Sequence, residues 1–170
     1  RRLSMNQLVK VTLATGLALS AMVGTTSSVT SNSTFIAQGS ENIDYQVNGY
    51  TTDANDFILE PSFIEAVKNN NFVINDYNIT GNEQQESSMI DIYDQIIAKT
   101  GEQTASMVDF EVKKGAVSKE ALIEQYGQPI EKPFESAQGF DYRYHIGDNI
   151  VQFIVEDGYV KDVQINAENE

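Results

Sequence analysis

The sequence predicts an α+β fold in which two short helices pack on a mostly antiparallel sheet that is built as a meander. Two segments carry the start and stop signals of short helices, and the C-terminal segment alternates apolar with polar side chains between clear turns. Strands are predicted after each helix, so the same pattern also fits a tandem α-β-β-β arrangement in which two units share one sheet. Residues 38–170 have the length of a single domain of this kind.

Both predicted helices begin and end at residues that favour helix termini. Pro61 suits the first turn of a helix, where its missing N–H leaves no bond unmade, and the Asn run that starts at Asn69 ends the first helix. Ser118 is a good N-cap for the second helix. Gly127 fits the position just after that helix, and Pro129 prevents its continuation.

Alternating patterns and turn residues predict the strands. The segment 89–99 fits either a helix or a strand, and we favour a strand because Gly101-Glu102 resembles a turn before a returning strand. Asp157-Gly158 is a strong signal for a type I′ hairpin. The predicted strands cover residues 45–47, 89–99, 107–112, 140–146, 150–155 and 159–165. Residues 72–80 fit either two strands joined by a turn at Asn75-Asp76 or one irregular strand.

The start of the chain differs sharply in charge from the rest. Residues 1–40 contain no acidic side chain, whereas Arg1, Arg2 and Lys10 precede an apolar run over residues 11–23. A basic start, a short apolar segment and a tail of small residues are typical of a secretory signal peptide. As a helix, the run would be about 20 Å long, too short for a bilayer core of about 30 Å. We therefore expect residues 1–37 to be a signal peptide and flexible leader with several candidate cleavage sites, and the mature protein to be secreted and extracellular without a membrane anchor.

Residues that usually carry catalysis or bind metals are scarce. The chain has no Cys and one His, which excludes thiolate nucleophiles, thiolate metal sites and clusters of His ligands. The acidic segment 53–56 fails the spacing of an EF-hand loop, and Glu156-Asp157 suits a hairpin better than a pair of hydrolytic carboxylates. His145 is expected at the surface. We therefore expect no enzymatic activity, no cofactor and no metal site.

The charge of the predicted mature chain bears directly on its partners. Removing the leader removes three cations, so eight basic residues remain against 25 acidic ones, a net charge of −17. Such a field keeps a protein soluble and repels the phosphates of nucleic acids, whose non-specific binding depends on Lys and Arg. The acidic surface is instead suited to docking a basic protein.

Two blocks of residues match a known family in their order along the chain. The first contains Tyr45, Asn48-Gly49-Tyr50, Asn55, Phe57-Ile58-Leu59, Phe63-Ile64 and Ala66, and the second contains Tyr93-Asp94-Gln95, Phe110, Val112-Lys113, Tyr126-Gly127 and the strands around residues 140–144 and 153–160. Together they resemble the secreted immunodominant staphylococcal antigen B family. The resemblance implies a small, non-enzymatic, virulence-associated exported antigen that host antibodies recognise and that is associated with sequence-independent binding of nucleic acid.

Five lysines are the candidate contacts for nucleic acid that this resemblance implies. Lys113, Lys114 and Lys119 cluster around the start of the second predicted helix, and Lys99 and Lys132 are the further candidates. A solvated lysine surface is the simpler interpretation.

Two functional hypotheses follow from charge and resemblance together. In the first, the chain is an exported, antigen-type binding protein, for which the acidic charge argues against nucleic acid as the ligand. In the second, it is a secreted inhibitor or interaction module that docks a basic extracellular protein.

Overall fold

A computed structural model gives the fold of residues 12–14, 44–54, 56–81 and 86–167, and the structural statements below refer to these ranges. They form a mostly β structure in which eleven strands lie in one mixed sheet, accompanied by two short helices. The predicted α+β class is therefore wrong. Each helix has only eight residues, and pairings between distant strands build a far larger sheet than the local patterns indicated.

The two helices occupy the predicted positions. Helix α1 spans Pro61–Lys68 and helix α2 spans Lys119–Tyr126. The Ser118 hydroxyl accepts a hydrogen bond from the Ala121 N–H at 3.1 Å and so caps α2. Gly127 ends α2 with a φ of 78°, a conformation that glycine adopts without strain. Within the described ranges, no helix has the length and apolar character needed to cross a membrane.

The strands agree with the predicted turns and add elements that the sequence did not reveal. Positive φ angles at Asn75 and Asp76 confirm the turn considered within residues 72–80. Positive φ angles at Asp157 and Gly158 confirm the predicted type I′ hairpin. The predicted strand 89–99 is instead a hairpin that turns at Tyr93, and a short strand precedes the C-terminal meander. The strands are β1 (Thr12–Ala14), β2 (Asp44–Val47), β3 (Phe72–Ile74), β4 (Tyr77–Ile79), β5 (Ser88–Ile92), β6 (Gln95–Lys99), β7 (Thr104–Glu111), β8 (Phe134–Ser136), β9 (Gly139–Ile146), β10 (Asn149–Glu156) and β11 (Tyr159–Ala167), with 3₁₀ turns at Thr51–Asp53 and Phe57–Leu59.

Strand β7 joins the parts of the sheet because it pairs with three other strands. The β5–β6 hairpin lies along one edge, where Gln95 is opposite Phe110. The other edge is shared. There β4 runs parallel to the start of β7, with Asn78 opposite Thr104, and β11 runs antiparallel to the rest. The main path through the sheet is β1-β2-β3-β4-β7-β11-β10-β9-β8.

Two parallel pairings distinguish this sheet from the predicted meander. Strands β2 and β3 are parallel, with α1 in the connection between them, and β4 is parallel to β7. The C-terminal strands β9, β10 and β11 do form an antiparallel meander. Five strands follow α1 and four follow α2, so the tandem α-β-β-β interpretation is wrong as well.

The hydrophobic core lies on the face of the sheet that the helices cover. On β10, Val151, Phe153 and Val155 are buried and alternate with partly exposed residues of the opposite face. Aromatic rings dominate this core, with centroids 4.8 to 6.5 Å apart, in the range where aromatic pairs attract. One group, near α1, contains Tyr45, Phe57, Phe63, Phe72 and Phe110, and the other, near α2, contains Tyr126, Tyr144 and Phe153.

We expect Phe153→Ala to reduce the free energy of unfolding by about 3–5 kcal/mol, because it leaves a cavity in a closely packed aromatic group. Phe153 is fully buried, and its ring centroid lies 4.8 Å from that of Tyr126. Urea unfolding followed by circular dichroism measures the loss. The matched control is Phe134→Ala, which removes the same side chain from a position that is 41% exposed. A loss of similar size at Phe134 would contradict the assignment of the core to the helix-covered face.

Candidate functional site

The outer face of the sheet, opposite the helices, carries a recess of about 320 Å³ that we call the acidic groove. Strands β7, β10 and β11 form its floor, and the turn before β9 adds one wall. The pairing register explains why these side chains meet, because Asp109 lies opposite Gln164 and Gln164 lies opposite Gln152. The groove is lined by Asp109, Gln138, Gln152, Ile154, Asp162 and Gln164.

The two carboxylates of the acidic groove are partly buried and repel each other. Burial raises the pKa of Asp109 above its ordinary value, and the carboxylates of Asp162 and Glu111 raise it further. Burial likewise raises the pKa of Asp162, where Lys161 acts in the opposite direction and Glu111 and Glu156 add to the increase. Glu111 also lies directly opposite Asp162 in the β7–β11 pairing. The groove therefore concentrates negative charge.

The chemistry of the acidic groove suits a cationic group that also forms hydrogen bonds. Among the described residues that line it, none is basic. An ammonium or guanidinium group from a partner would neutralise the carboxylates, and the Gln amides offer both donors and acceptors around it. Because a nearby positive charge favours the ionised carboxylate, such binding would lower the raised pKa values of Asp109 and Asp162.

Arg143 neutralises a carboxylate beside the groove on the same face of the sheet. Its Nε and Nη2 donate to Asp141 Oδ2 at 3.1 and 3.0 Å. Its Nη1 lies 3.7 Å from a carboxylate oxygen of Glu131, and its guanidinium carbon lies 4.8 Å from the ring centroid of Phe134. The Arg143 charge is therefore already engaged by Asp141 and Glu131.

Three of the five candidate lysines lie close together along the chain at one end of β7. Lys113 and Lys114 are exposed just after β7, and Lys119 is the first residue of α2. The Lys119 ammonium lies 3.4 Å from a carboxylate oxygen of Glu120. That carboxylate has a lowered pKa, which follows mainly from hydrogen bonding to the backbone N–H and secondly from Lys119. All three lie in the segment that runs from the end of β7 into α2.

The other two candidate lysines lie on different elements. Lys99 ends β6 and is opposite Ala105 near the start of β7. Most of the length of β7, about 20 Å, therefore lies between Lys99 and the end of β7 that precedes Lys113. Its ammonium lies 5.7 Å from the ring centroid of Tyr77. Lys132 is exposed in the connection between α2 and β8. The role of the five lysines in binding nucleic acid stays a prediction.

A cleft of about 690 Å³ lies beside Lys114, between the end of β7 and the β10–β11 hairpin. Charges of both signs line it, with Lys114 and Lys161 among Glu111, Glu156 and Asp157. The Lys161 ammonium lies 3.5 Å from a carboxylate oxygen of Glu156. Since the acids offset the lysines, this cleft does not form a continuous positive surface of the kind that phosphates require.

A partly buried polar cluster, which the sequence did not reveal, holds the segment before α1 against the β5–β6 turn. We call it the Asp94 clamp, and it consists of Thr51, Thr52, Asn75, Asp94 and Gln95. The Asp94 carboxylate accepts hydrogen bonds from the N–H and hydroxyl groups of both threonines at 2.7 to 3.1 Å. Gln95, which is 2% exposed, donates to Asp94 and accepts from Asn75 Nδ2 at 2.5 Å. These bonds join three segments of the chain, namely residues 51–52, Asn75 and residues 94–95.

The Asp94 clamp displays two tyrosines at the surface. Tyr50 and Tyr93 each precede a clamp segment, and their ring centroids lie 4.9 Å apart with the planes inclined at 64°. Their exposed fractions are 43% and 54%. Both segments belong to the blocks quoted for the family resemblance, yet nothing in their spacing indicated that they contact each other.

The remaining residues considered in the sequence lie in ordinary structural positions. His145 is exposed on β9, and Glu156-Asp157 forms the entry to the β10–β11 hairpin. Asp53 ends a 3₁₀ turn, and Asn55 lies outside the described residues. Within the described part of the chain, no group of three or more His, Cys, Asp and Glu residues is arranged to hold a metal ion.

Comparison with known families was decisive for the family assignment. Residues 44–165 match the model of immunodominant staphylococcal antigen B, well over half of the chain. The chain belongs to this family. The resemblance inferred from the two residue blocks is thereby confirmed for immunodominant staphylococcal antigen B. A solved structure of a DUF4309 family protein, YjgB from Bacillus subtilis, is similar at 14% identity with a TM-score of 0.37, covering 67% of this chain and 78% of that chain. A comparison with curated proteins gave no match.

We expect Asp162→Asn to stabilise this member of the antigen B family at pH 7. The amide removes one of two like charges that lie opposite each other, and such pairs destabilise a sheet by about 0.2–1 kcal/mol. Folding raises the pKa of Asp162, so holding its carboxylate ionised in the folded protein costs stability. This cost is fully present above the raised pKa, and it disappears as the pH falls towards the ordinary Asp pKa of about 3.9. Urea unfolding should show a gain of roughly 0.5 kcal/mol at pH 7 and little gain near pH 3.5.

The control for this experiment is Asp148→Asn, which makes the same change in the exposed turn between β9 and β10. It should leave the free energy of unfolding nearly unchanged at both pH values. If Asp148→Asn increased the free energy of unfolding by the same amount, the effect would come from the overall charge of the protein and not from the acidic groove.

We expect Asp94→Ala to destabilise the protein by about 2 kcal/mol, because it leaves the buried Thr51 N–H and hydroxyl without their acceptor. Asp94→Asn keeps one acceptor oxygen and should lose less. Hydrogen exchange at the amides of Thr51 and Thr52, measured with urea unfolding, reports on the Asp94 clamp directly. Unchanged protection of these two amides in Asp94→Ala would show that the clamp does not hold the segment.

Proposed function

We propose that the protein is an exported, non-catalytic binding protein whose ligand is a basic extracellular protein, docked on the acidic groove. The observation that carries this proposal is the groove itself, where Asp109 and Asp162 are partly buried and have raised pKa values. None of the described residues that line the groove is basic. Like-charged carboxylates that repel each other destabilise the unbound protein. A cationic partner would relieve this repulsion, so its binding there would be especially favourable.

The surrounding charge supports the same class of partner. Residues 41–170 carry eight basic and 25 acidic side chains, so long-range attraction would draw a basic protein towards this chain. The outer face of the sheet is a pleated surface whose side chains are fixed by pairing register, which preorganises the carboxylates before a partner arrives. An inhibitor of a basic enzyme would use this surface in the same way.

Support for a non-catalytic role comes from the residue types near the groove. It offers carboxylates and amides without a thiol, imidazole or hydroxyl nucleophile beside them. The single imidazole, His145, lies on β9 and is not among the groove residues.

Nucleic acid is the second candidate ligand, and one observation favours it. Lys113, Lys114 and Lys119 lie in the segment that leads into α2, close enough along the chain to contact neighbouring phosphates. Against this, Lys119 is close to Glu120, and Lys114 shares its cleft with three carboxylates. Family membership alone identifies an antigen and does not select between these ligands.

One set of titrations tests both ligands. Lysozyme serves as the basic protein probe, and duplex and single-stranded oligonucleotides serve as nucleic-acid probes, each measured from low salt to about 0.15 M. We expect lysozyme to bind the unaltered chain and the double variant Asp109→Asn/Asp162→Asn to bind it about tenfold more weakly, a loss of roughly 1.4 kcal/mol. The oligonucleotides should show no retardation at about 0.15 M salt.

The matched control is Asp76→Asn/Asp148→Asn, which removes the same net charge from two exposed turns. If this control weakens lysozyme binding as much as the groove variant does, attraction is diffuse and the groove is not the docking surface. Oligonucleotide binding with a steep salt dependence, abolished by Lys113→Gln/Lys114→Gln/Lys119→Gln, would replace the proposed ligand with nucleic acid.

A further inference from the structure

The outer edge of β2 presents backbone groups that β3 does not use. The Tyr45 N–H donates to Asn71 O at 3.1 Å, and Val47 O accepts from the Asn75 N–H at 2.9 Å, both on the β3 side. Successive residues of a strand direct their N–H and C=O groups to opposite edges. The N–H and C=O groups of Asp44 and Gln46 therefore point away from β3, towards the edge.

A strand of this same chain is seated on that edge. Strand β1 pairs antiparallel with β2, and Thr12 is opposite Gln46, Leu13 opposite Tyr45 and Ala14 opposite Asp44. The pairing uses main-chain groups, which any extended segment can supply. The edge is thus competent to receive a strand. The occupant in the structure comes from the segment that the sequence predicts to be removed on export.

The other free edges of the sheet carry features that discourage strand addition. Strand β8 has three residues, follows Pro133 and exposes Glu135. Strand β5 exposes Asp91 near its middle. On β2, by contrast, Tyr45 and Val47 are fully buried and hold the strand flat against the core. The edge of β2 is therefore rigid, and in the structure β1 covers it.

Charge selects the kind of segment that would replace β1. The strands β2 to β4 and their turn (residues 44–50 and 72–81) contain Asp44 and Asp76 and no Lys or Arg. A second copy of this chain would bring a second Asp44 to this edge and add another strongly acidic domain, which like-charge repulsion disfavours. The present occupant itself follows Lys10 by two residues.

We propose that the edge of β2 is a strand-docking site that takes an extended basic segment of the partner protein, paired antiparallel as β1 is. This inference rests on the proposed function, since it assumes export with loss of the leader and a basic partner. It places a second contact on the sheet, away from the acidic groove, and it makes the leader a temporary cover for the docking edge.

The test uses the full chain and a capped peptide of residues 9–15, Val-Lys-Val-Thr-Leu-Ala-Thr, as the probe. The double variant Thr12→Pro/Ala14→Pro removes the N–H groups that β1 directs at β2 and so opens the edge. Its control is Ser27→Pro/Ser28→Pro, which places two prolines elsewhere in the predicted leader. We expect the opened variant to bind the peptide about tenfold more tightly than the unaltered chain or the control, because the tethered β1 no longer competes.

Modified probes keep the test independent of protein folding. N-methylation at the Thr and Ala that correspond to Thr12 and Ala14 should abolish binding, whereas N-methylation at the Leu between them should be tolerated. Replacing the Lys of the probe by Glu should weaken binding about threefold or more at low salt. Adding Gln46→Pro to the opened variant should also abolish binding, while Gln46→Ala should not.

Several results would overturn the inference. These are equal peptide binding by the opened and unaltered chains, indifference to the position of N-methylation, or a preference for the Glu probe. Dimerisation of the opened variant at micromolar concentration, seen by sedimentation, would assign the edge to a second copy. Failure of the proposed function is distinguishable from failure of this inference. It would appear as unchanged lysozyme binding in Asp109→Asn/Asp162→Asn, a variant that should leave peptide binding at the edge of β2 unchanged.

Discussion

The shared strand β7 is the constraint on which the rest of this structure depends. It has two edges and three partners, so β4 and β11 must divide one edge between them. Val108 and Phe110 are fully buried, which fixes the face of β7 that points into the core. The same register places Asp109 on the outer face beside Asp162. A shift of one residue would invert both faces at once, so core and groove are specified together.

This arrangement separates the residues that stabilise the fold from the carboxylates that we propose to contact a partner. The helix-covered face gathers the aromatic rings, and their burial provides the main favourable free energy of folding. The outer face can then carry carboxylates that oppose folding, since the core compensates for them. Destabilising groups held in place by a strong scaffold are typical of binding surfaces. In the proposed function the acidic groove is such a surface, and the proposed docking edge of β2 belongs to the same sheet.

Local features of the fold were predictable from the sequence, and distant pairings were not. Ser118, Gly127 and Asp157-Gly158 act through their own backbone or the adjacent turn, so helix ends and the hairpin were predicted correctly. The parallel pairings and the triple pairing of β7 depend on contacts far apart in sequence, for which local periodicity carries no signal. The predicted class failed for that reason. Asp109 and Asp162 likewise meet through register alone, for which the sequence carries no local signal. The three lysines before α2 were noted only because they are neighbours in the chain, and their role stays a prediction.

The Asp94 clamp has a consequence for how an antibody could recognise this antigen. It brings Tyr50 and Tyr93, which lie more than forty residues apart along the chain, into ring contact while leaving about half of each side chain in solvent. Exposed, rigid tyrosines are well suited to contact with a paratope. An epitope centred on this pair is discontinuous and exists only in the folded chain. Short linear peptides from either segment would not reproduce it, so serum reactivity against them would underestimate recognition of the native surface.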